Sequence, residues 1–430
     1  MIKLILNCIV KFKRILQESF WVIGGQIIFI LGSVYLVKLL TTILSPDQYG
    51  ELALILTLNG FFVQVIFSSI TPGSSRFYSE SKKKNQIGNF LNAIINLNFK
   101  ITKYTFLISL LVVILLFIFK VKLVIIIATI LALIYSFNNG FVSILNSIYL
   151  ASRNHKIIAI NQSLDIILKI IIVLAFVSFF ESSSIIALIA FVLSTVILVF
   201  LNYIISNQKF KTFLSQKNDI IKWKKKIWNY SWPFMVWGIL NSLQIYSDRW
   251  SLLFYSTKES VGLYSVIYQY GFTMMAIGSG VFINLLTPII FNKIEDGDNF
   301  FIEKTTKNII IVGLVLTFIL FIIFFFFHKV FFSFLVDFRY AGVSYLLPWM
   351  ILAGGIHSIS QAYSLILMAK KKIMTLFPIK IFSSSLGIIF NLLGAKFFGI
   401  TGIVIANILY STIFLIFLYH ATNKILKKNI

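Results

Sequence analysis

The chain has a single cysteine, Cys8, in 430 residues, which excludes a disulfide framework and any cysteine-based metal centre. Its four histidines, His155, His328, His357 and His420, lie far apart and make no HExxH or similar ligand spacing, so no metal and no cofactor are expected. Acidic residues are scarce, 14 Asp and Glu against 38 Lys and Arg, and charged residues make up only 12% of the chain. Hydrophobic residues make up 59%, with a mean hydropathy of +0.93, whereas soluble domains are about 45–50% apolar and about 25% charged. An aqueous core of this length cannot hide so much apolar surface. A soluble enzyme is excluded, and the composition is that of an all-α polytopic membrane protein.

A helix needs about 20 mostly apolar residues to cross the hydrocarbon. Twelve segments qualify, at 20–44, 49–72, 99–119, 122–150, 157–180, 183–206, 229–256, 261–290, 307–327, 342–368, 373–396 and 399–420. The first 19 residues lack a small-residue cleavage pattern, and Lys11, Lys13 and Arg14 interrupt their apolar run. They read as an amphipathic segment at the membrane surface, not a cleaved signal.

With the N-terminus in the cytoplasm, 28 of the 38 basic residues fall in cytoplasmic segments or at cytoplasmic span ends, six in outer loops or at outer span ends, and four well inside spans. That bias places both termini in the cytoplasm. It also explains the net charge of +24 through topology and attraction to anionic lipid, so no nucleic-acid partner is expected. The longest connector, 207–228, holds Lys222, Trp223, Lys224, Lys225 and Lys226 and reads as a solvated basic linker. It divides an N-terminal six-helix bundle with its leading segment (1–206) from a C-terminal one (229–430).

The halves resemble each other. Ser45-Pro46-Asp47-Gln48-Tyr49-Gly50 matches Thr257-Lys258-Glu259-Ser260-Val261-Gly262. Thr71-Pro72 matches Thr287-Pro288, and Ser194-Thr195 matches Ser411-Thr412, at nearly the same offset. These matches support duplication of a six-span unit. Because six is even, the two repeats are parallel, an architecture that transporters use around a central cavity. Each Thr-Pro reads either as a hinge or as a helix end.

Charges inside a membrane are costly and mark cavities or partners. Four cations lie within spans, Lys38, Lys169, Arg249 and Lys380, against two anions, Asp165 and Asp248, so the interior is net positive. Polar stripes at helical spacing accompany them: Asn161–Asp165–Lys169, Asn241–Gln244–Asp248–Ser251, Lys380–Ser384–Gly387–Asn391, Asn139–Ser143–Asn146 and His357–Gln361–Ser364. Arg249, Lys169, Lys38, Lys380, Asn139, Asn241 and Gln361 are the candidate substrate-binding groups, and Asp165, Asp248 and His357 the candidates for ion coupling. Each also has a structural reading. Lys38 and Lys380 reach headgroups from span ends. Asp165 and Lys169 form a local i,i+4 pair, and His357 is a hydrogen-bonded bundle residue. Asp248 and Arg249, adjacent in sequence, point in different directions on a helix and are not expected to neutralise each other.

The segments LSPDQYGELALIL (44–56), SWPFMVWGILNSLQIYSDRWSLLFYSTKESVGLYSV (231–266) and KFFGITGIVIANILYS (396–411) resemble the polysaccharide biosynthesis proteins. These are the O-antigen and capsule-repeat flippases of the multidrug/oligosaccharidyl-lipid/polysaccharide exporter superfamily. The resemblance implies a non-enzymatic carrier in a bacterial inner membrane that moves undecaprenyl-pyrophosphate-linked oligosaccharide from the cytoplasmic to the outer leaflet by alternating access. Its partners would be the lipid-linked glycan, the bilayer and a glycan polymerase, with the carrier itself a monomer. The alternatives are a membrane glycan polymerase or glycosyltransferase, and a multidrug or cation antiporter of the same superfamily. Such enzymes need a sizeable catalytic outer loop, which is absent here, and Glu295-Asp296-Gly297-Asp298 reads as a solvated acidic loop. In the drug antiporters an acidic residue is expected in the first span, where this chain has Lys38.

Overall fold

The computed structural model describes residues 2–67, 69–210, 217–280, 283, 290, 299–369 and 373–427. Side chains are described for 20–65, 67, 69–204, 218–280, 283, 290, 304–305, 307–367 and 375–424. Among these residues all regular structure is helical. The helices are α1 (Ile2–Ile43), α2 (Pro46–Phe67), α3 (Thr71–Lys83), α4 (Ile87–Ile118), α5 (Leu123–Ala151), α6 (His155–Phe179) and α7 (Ser184–Phe210). They continue with α8 (Lys217–Tyr255), α9 (Lys258–Ile267), α10 (Asn299–Leu335), α11 (Leu347–Ala369) and α12 (Ile373–Lys427). A π turn, Tyr268–Thr273, prolongs α9, and a 3-10 stretch, Phe338–Leu346, leads into α11.

Eight described helical stretches are long and apolar enough to cross a bilayer, and the chain is a multi-pass membrane protein. Each expected span overlaps a helix, although the second outruns α2 and the tenth begins in the 3-10 stretch; most of the end of the eighth, with Thr287-Pro288, lies outside the described residues, as does the 295–298 acidic cluster. Large apolar side chains such as Phe99, Phe106 and Phe117 on α4 and Phe318, Phe326 and Phe334 on α10 are exposed. Such faces suit lipid, in which every backbone polar group is already satisfied within the helix. The backbone of residues 2–19 continues α1 without a break, while its amphipathic reading rests on side chains outside those described.

Local chemistry sets the helix ends. Ser45 and Gln48 form a reciprocal capping box, each accepting from the other's backbone N–H at 3.3 Å, with Pro46 at the first helical position. At the matching turn, Thr257 Oγ1 accepts from Ser260 N at 3.2 Å. Pro72 lies in the first turn of α3, after α2 has ended at Phe67, so this Thr-Pro marks a helix end, where a missing N–H costs nothing. The eleventh and twelfth spans turn at one residue, Gly399 (φ 57°, ψ −132°), a conformation that glycine adopts without a Cβ penalty. The two arms run back antiparallel. A methyl group on Gly402 would lie 2.1 Å from the Gly394 carbonyl oxygen, and the Phe382 and Phe417 rings meet edge-on at 5.4 Å.

The chain forms two compact units, 1–36 with 55–242, and 37–54 with 243–430. Their limits differ from the six-span boundaries expected from the sequence. In the first unit, Gly25 and Gly32 of α1 lie against Ala159 and Ile166 of α6, and the glycines, without side chains, let the helices approach closely. In the second, residues 37–54 are gripped by the 3-10 stretch. Arg339 donates from Nη2 to the Thr41 and Thr42 carbonyls (2.9 and 2.6 Å), and Tyr340 donates to the Leu44 carbonyl (3.1 Å). These bonds satisfy carbonyls that the end of α1 leaves open.

The basic linker is not a free loop from Lys217 onward, where it forms the first turns of α8. Trp223 and Ile227, one helical turn apart, are buried against Phe90, Ile94 and Phe77 of α3 and α4, and the Trp223 and Phe90 rings meet at 5.3 Å. Gln86 donates to Asp219 (3.0 Å) and accepts from Trp223 Nε1 (3.1 Å). Lys226 and Lys84 both bind Glu80 (2.6 and 2.9 Å), and their hydrogen bonds hold its carboxyl below the usual carboxylate range. An apolar i,i+4 pair among lysines makes the segment amphipathic and docks it.

Candidate functional site

The second unit carries a chain of buried cations and rings. On α8, Asp248 and Arg249 are 1% and 9% exposed. Contrary to the expectation that they diverge, Arg249 Nη1 donates to Asp248 Oδ1 at 3.1 Å, and Arg249 N donates to the same oxygen at 2.6 Å. The guanidinium folds back because burial makes an uncompensated charge costly. Tyr264 of α9 donates to Asp248 Oδ2, and Asn407 of α12 donates to the Tyr264 hydroxyl at 3.1 Å. The carboxylate is therefore held by groups from its own helix and from α9, itself steadied by α12.

From Arg249 the rings follow in sequence. The guanidinium lies over Tyr268 at 4.4 Å, a cation–π distance. Tyr268 stacks on Phe272 (4.9 Å, 14°), and Phe272 meets His357 of α11 at 5.1 Å. His357 stacks against Tyr410 (5.8 Å) and Phe414 (6.0 Å) of α12. Lys380, fully buried, ends the series over Phe414 at 4.9 Å and donates to the Tyr410 hydroxyl at 2.9 Å. The π turn contains both Tyr268 and Phe272, and π turns concentrate at functional positions. It is seated by glycines: a methyl group on Gly271 would strike Met350, and one on Gly354 would strike the Phe272 backbone.

Gln361 bonds His357 through the two Nε2 atoms at 3.0 Å, and Asn391 donates to Ser247 at 2.8 Å. Among the described residues, His357 Nδ1, Gln244 Oε1, Ser384 Oγ and Ser411 Oγ are buried without a hydrogen-bond partner. The unit thus holds spare donors and acceptors beside its two buried cations.

The first unit holds Asp165 and Lys169 as the local pair their spacing allows. Lys169 Nζ lies 2.6 Å from Asp165 Oδ2 and 5.6 Å from the ring centres of Tyr135 and Phe191. Asn161 donates to Asn146 (2.9 Å) and Asn202 (3.1 Å), and Asn139 makes a long contact with Asn59 (3.5 Å). Asn139 and Asn241 are half-buried, and Lys38 is exposed. The structure therefore joins Asp165 with Lys169, Asp248 with Arg249, and Lys380, His357 and Gln361 in one cluster. It gives Lys38, Asn139 and Asn241 no place in these clusters. Sequence reasoning passed over Tyr264, Tyr268, Phe272, Tyr410, Phe414 and Asn407. Their aromatic i,i+4 spacing is visible in the chain, yet such spacing also fits ordinary packing.

The model of the family described as polysaccharide biosynthesis protein matches residues 15–293. The chain belongs to that family. This polysaccharide biosynthesis protein also has the fold of several solved transporters. The lipid II flippase MurJ in an inward closed conformation aligns with a TM-score of 0.69 at 18% identity, over 95% of this chain and 87% of that one. An inward-facing multidrug resistance MATE transporter of the MOP superfamily aligns at 0.64 and 13%, over 94% and 96%. A MOP superfamily transporter from Pyrococcus furiosus, described as having a binding pocket of reversed polarity, aligns at 0.60 and 14%, over 96% and 95%. No curated protein matches. The expected all-helical, many-span architecture agrees with the fold of these transporters.

Proposed function

We propose that the protein is a flippase for a polyprenyl-pyrophosphate-linked oligosaccharide, moving the repeat unit from the cytoplasmic to the outer leaflet by alternating access for surface polysaccharide synthesis. The observation that carries this reading is the pair of cations, Arg249 and Lys380, buried at the two ends of the ring series. A diphosphate is the natural counterion for such groups. Among the described residues Arg249 hydrogen-bonds through Nη1 and its backbone N alone, which leaves the other edge of its fork for an incoming anion. The spare Gln244, Ser384 and Ser411 groups suit hydroxyl-rich sugars, and the apolar exposed faces suit a polyprenyl tail. The family match and the fold support a transporter; in this reading both termini are cytoplasmic, as the charge bias indicates, and a monomer works beside a glycan polymerase.

The deciding experiment follows the leaflet location of lipid-linked oligosaccharide in a deletion strain complemented with wild type, Arg249→Ala or Lys380→Ala at equal expression. Intermediates trapped inside, released by wild type and poorly by either variant, are expected. Repeat units that reach the outer leaflet without the protein but fail to polymerise would move the assignment to an enzyme. Export of a cationic drug without glycan transport would move it to an antiporter.

A further inference from the structure

The first unit holds a polar face that its ion pair does not account for. On one side of α5, Ile127, Ile130 and Ile134 are 40%, 40% and 42% exposed, a side suited to lipid. Helical rotation puts Asn139, Ser143 and Asn146 near the opposite side, and all three are half-buried. A polar face turned from lipid and still open lines a hydrated cleft. Asn59 of α2 extends this face, since Asn139 Nδ2 reaches Asn59 Oδ1 at 3.5 Å. Next to Asn139, a methyl group on Gly140 would strike the Phe67 ring, so α2 and α5 are pressed together and the spacing of the two amides is fixed. On α6, Asn161 donates to Asn146 at 2.9 Å. One turn further, Asp165 gives Oδ2 to Lys169 and keeps Oδ1 buried without a hydrogen-bond partner.

Other amides of this unit are simple interhelical ties. Asn161 and Asn202 are 3% and 0% exposed in the case of Asn202 and Asn161 reversed, and they bond each other reciprocally at 3.1 and 3.0 Å. The Asn59–Asn139 contact is longer, and both side chains remain partly open, which leaves their donors and acceptors for a ligand. Charge decides which ligand. Lys169 is neutralised by Asp165, and the spare carboxylate oxygen repels a phosphate. A hydroxyl both donates and accepts, which matches amides and a carboxylate oxygen together.

We infer that Asn59, Asn139, Ser143, Asn146 and Asp165 Oδ1 form a subsite for neutral sugar residues of the cargo, recognised through their hydroxyl and amide groups and not through phosphate. The inference rests on the transport reading above and assigns a further part of its cargo.

Two probes test it by calorimetry on the full chain in nanodiscs: farnesyl diphosphate, and farnesyl diphosphate linked to a neutral disaccharide. The quantity read is the ratio of their dissociation constants. In wild type the sugar is expected to tighten binding about tenfold, as roughly two neutral hydrogen bonds supply. Asn59→Ala with Asn139→Ala is expected to bring the ratio close to one and to hold the affinity for the sugar-free probe within about twofold. Ser143→Ala, nearly isosteric, is expected to reduce the ratio about threefold and keeps the test decisive should the double variant fold poorly. Asn202→Ala, which breaks the closed pair, is expected to lower thermal stability and leave the ratio unchanged. A ratio of one in wild type, a ratio that neither the double variant nor Ser143→Ala moves, or an equal loss for both probes would overturn the inference. Binding of neither probe would overturn it together with the transport reading. If Arg249→Ala and Lys380→Ala leave the affinity for the sugar-free probe unchanged, the diphosphate reading fails, and the ratio still judges the sugar subsite.

Discussion

Asp165–Lys169 and Asp248–Arg249 are two versions of one device, a carboxylate and a cation paired inside the spans. The first is built along a single helix at i,i+4, with Lys169 between Tyr135 and Phe191 and the Asp165 side chain 21% exposed. The second joins adjacent residues and is sunk deeper, with the Asp248 side chain 1% exposed and Tyr264 and Asn407 recruited from other helices. Local spacing suffices where some exposure remains. Where it does not, the pair exists only because distant chain segments complete it.

Removing the carboxylate from each pair tests that contrast most strongly. Asp248→Asn strands a buried guanidinium and is expected to cost about 3–5 kcal/mol. Asp165→Asn strands a Lys169 as buried as Arg249, but beside a carboxylate position that is 21% exposed, and is expected to cost less, about 1.5–3 kcal/mol, roughly one charged hydrogen bond. Thermal unfolding in detergent, followed by tryptophan fluorescence, ranks the two. Equal losses would show that burial depth does not distinguish them.

A smaller effect is expected from Tyr264→Phe, which deletes the donor to Asp248 and leaves Asn407 to find another acceptor. The loss should be about 1–3 kcal/mol, and Asp248→Asn combined with Tyr264→Phe should cost less than the sum of the two singles. Exchanging the cations sharpens the comparison further. Arg249→Lys gives up the planar fork and its seat over Tyr268, for about 1–2 kcal/mol, whereas Lys169→Arg keeps a point contact with Asp165 and should be nearly neutral if the longer head fits.

The smallest effect belongs outside the membrane. Because Glu80 has its carboxyl pKa lowered by Lys226 and Lys84, the clasp contributes stability above the ordinary carboxylate range and loses it as pH falls through the lowered value. Glu80→Gln should lower neutral-pH stability slightly and thereby flatten the acid limb of the stability profile. An acid limb that is identical in the variant would show that the exposed clasp contributes nothing.

Some of this was legible in the chain. The spans follow from hydrophobic length, which backbone hydrogen bonding in lipid dictates whatever packs beside them. The repeat followed from the Ser45 and Thr257 turns because capping and a close-packed glycine each demand a residue type at a fixed offset. Asp165–Lys169 followed because helical geometry alone places i and i+4 together. The Asp248–Arg249 pairing was misread, since adjacent side chains leave a helix in different directions and only burial turns the long guanidinium back. The linker's docking was missed, since lysines on one face of an amphipathic turn resemble a solvated loop until Phe90 and Ile94 are placed beneath Trp223.

That this is a many-span helical membrane protein, with cations where lipid would reject them, is written in the chain itself. Composition, periodicity and capping act over a few turns of chain and need no partner. Which groups meet is settled by long-range packing: Lys380 with Tyr410, thirty residues on, Arg339 with the end of α1, and Gly50 with Gly262. A buried charge takes the compensating group that packing brings within reach, and the distance along the chain does not reveal which group that will be.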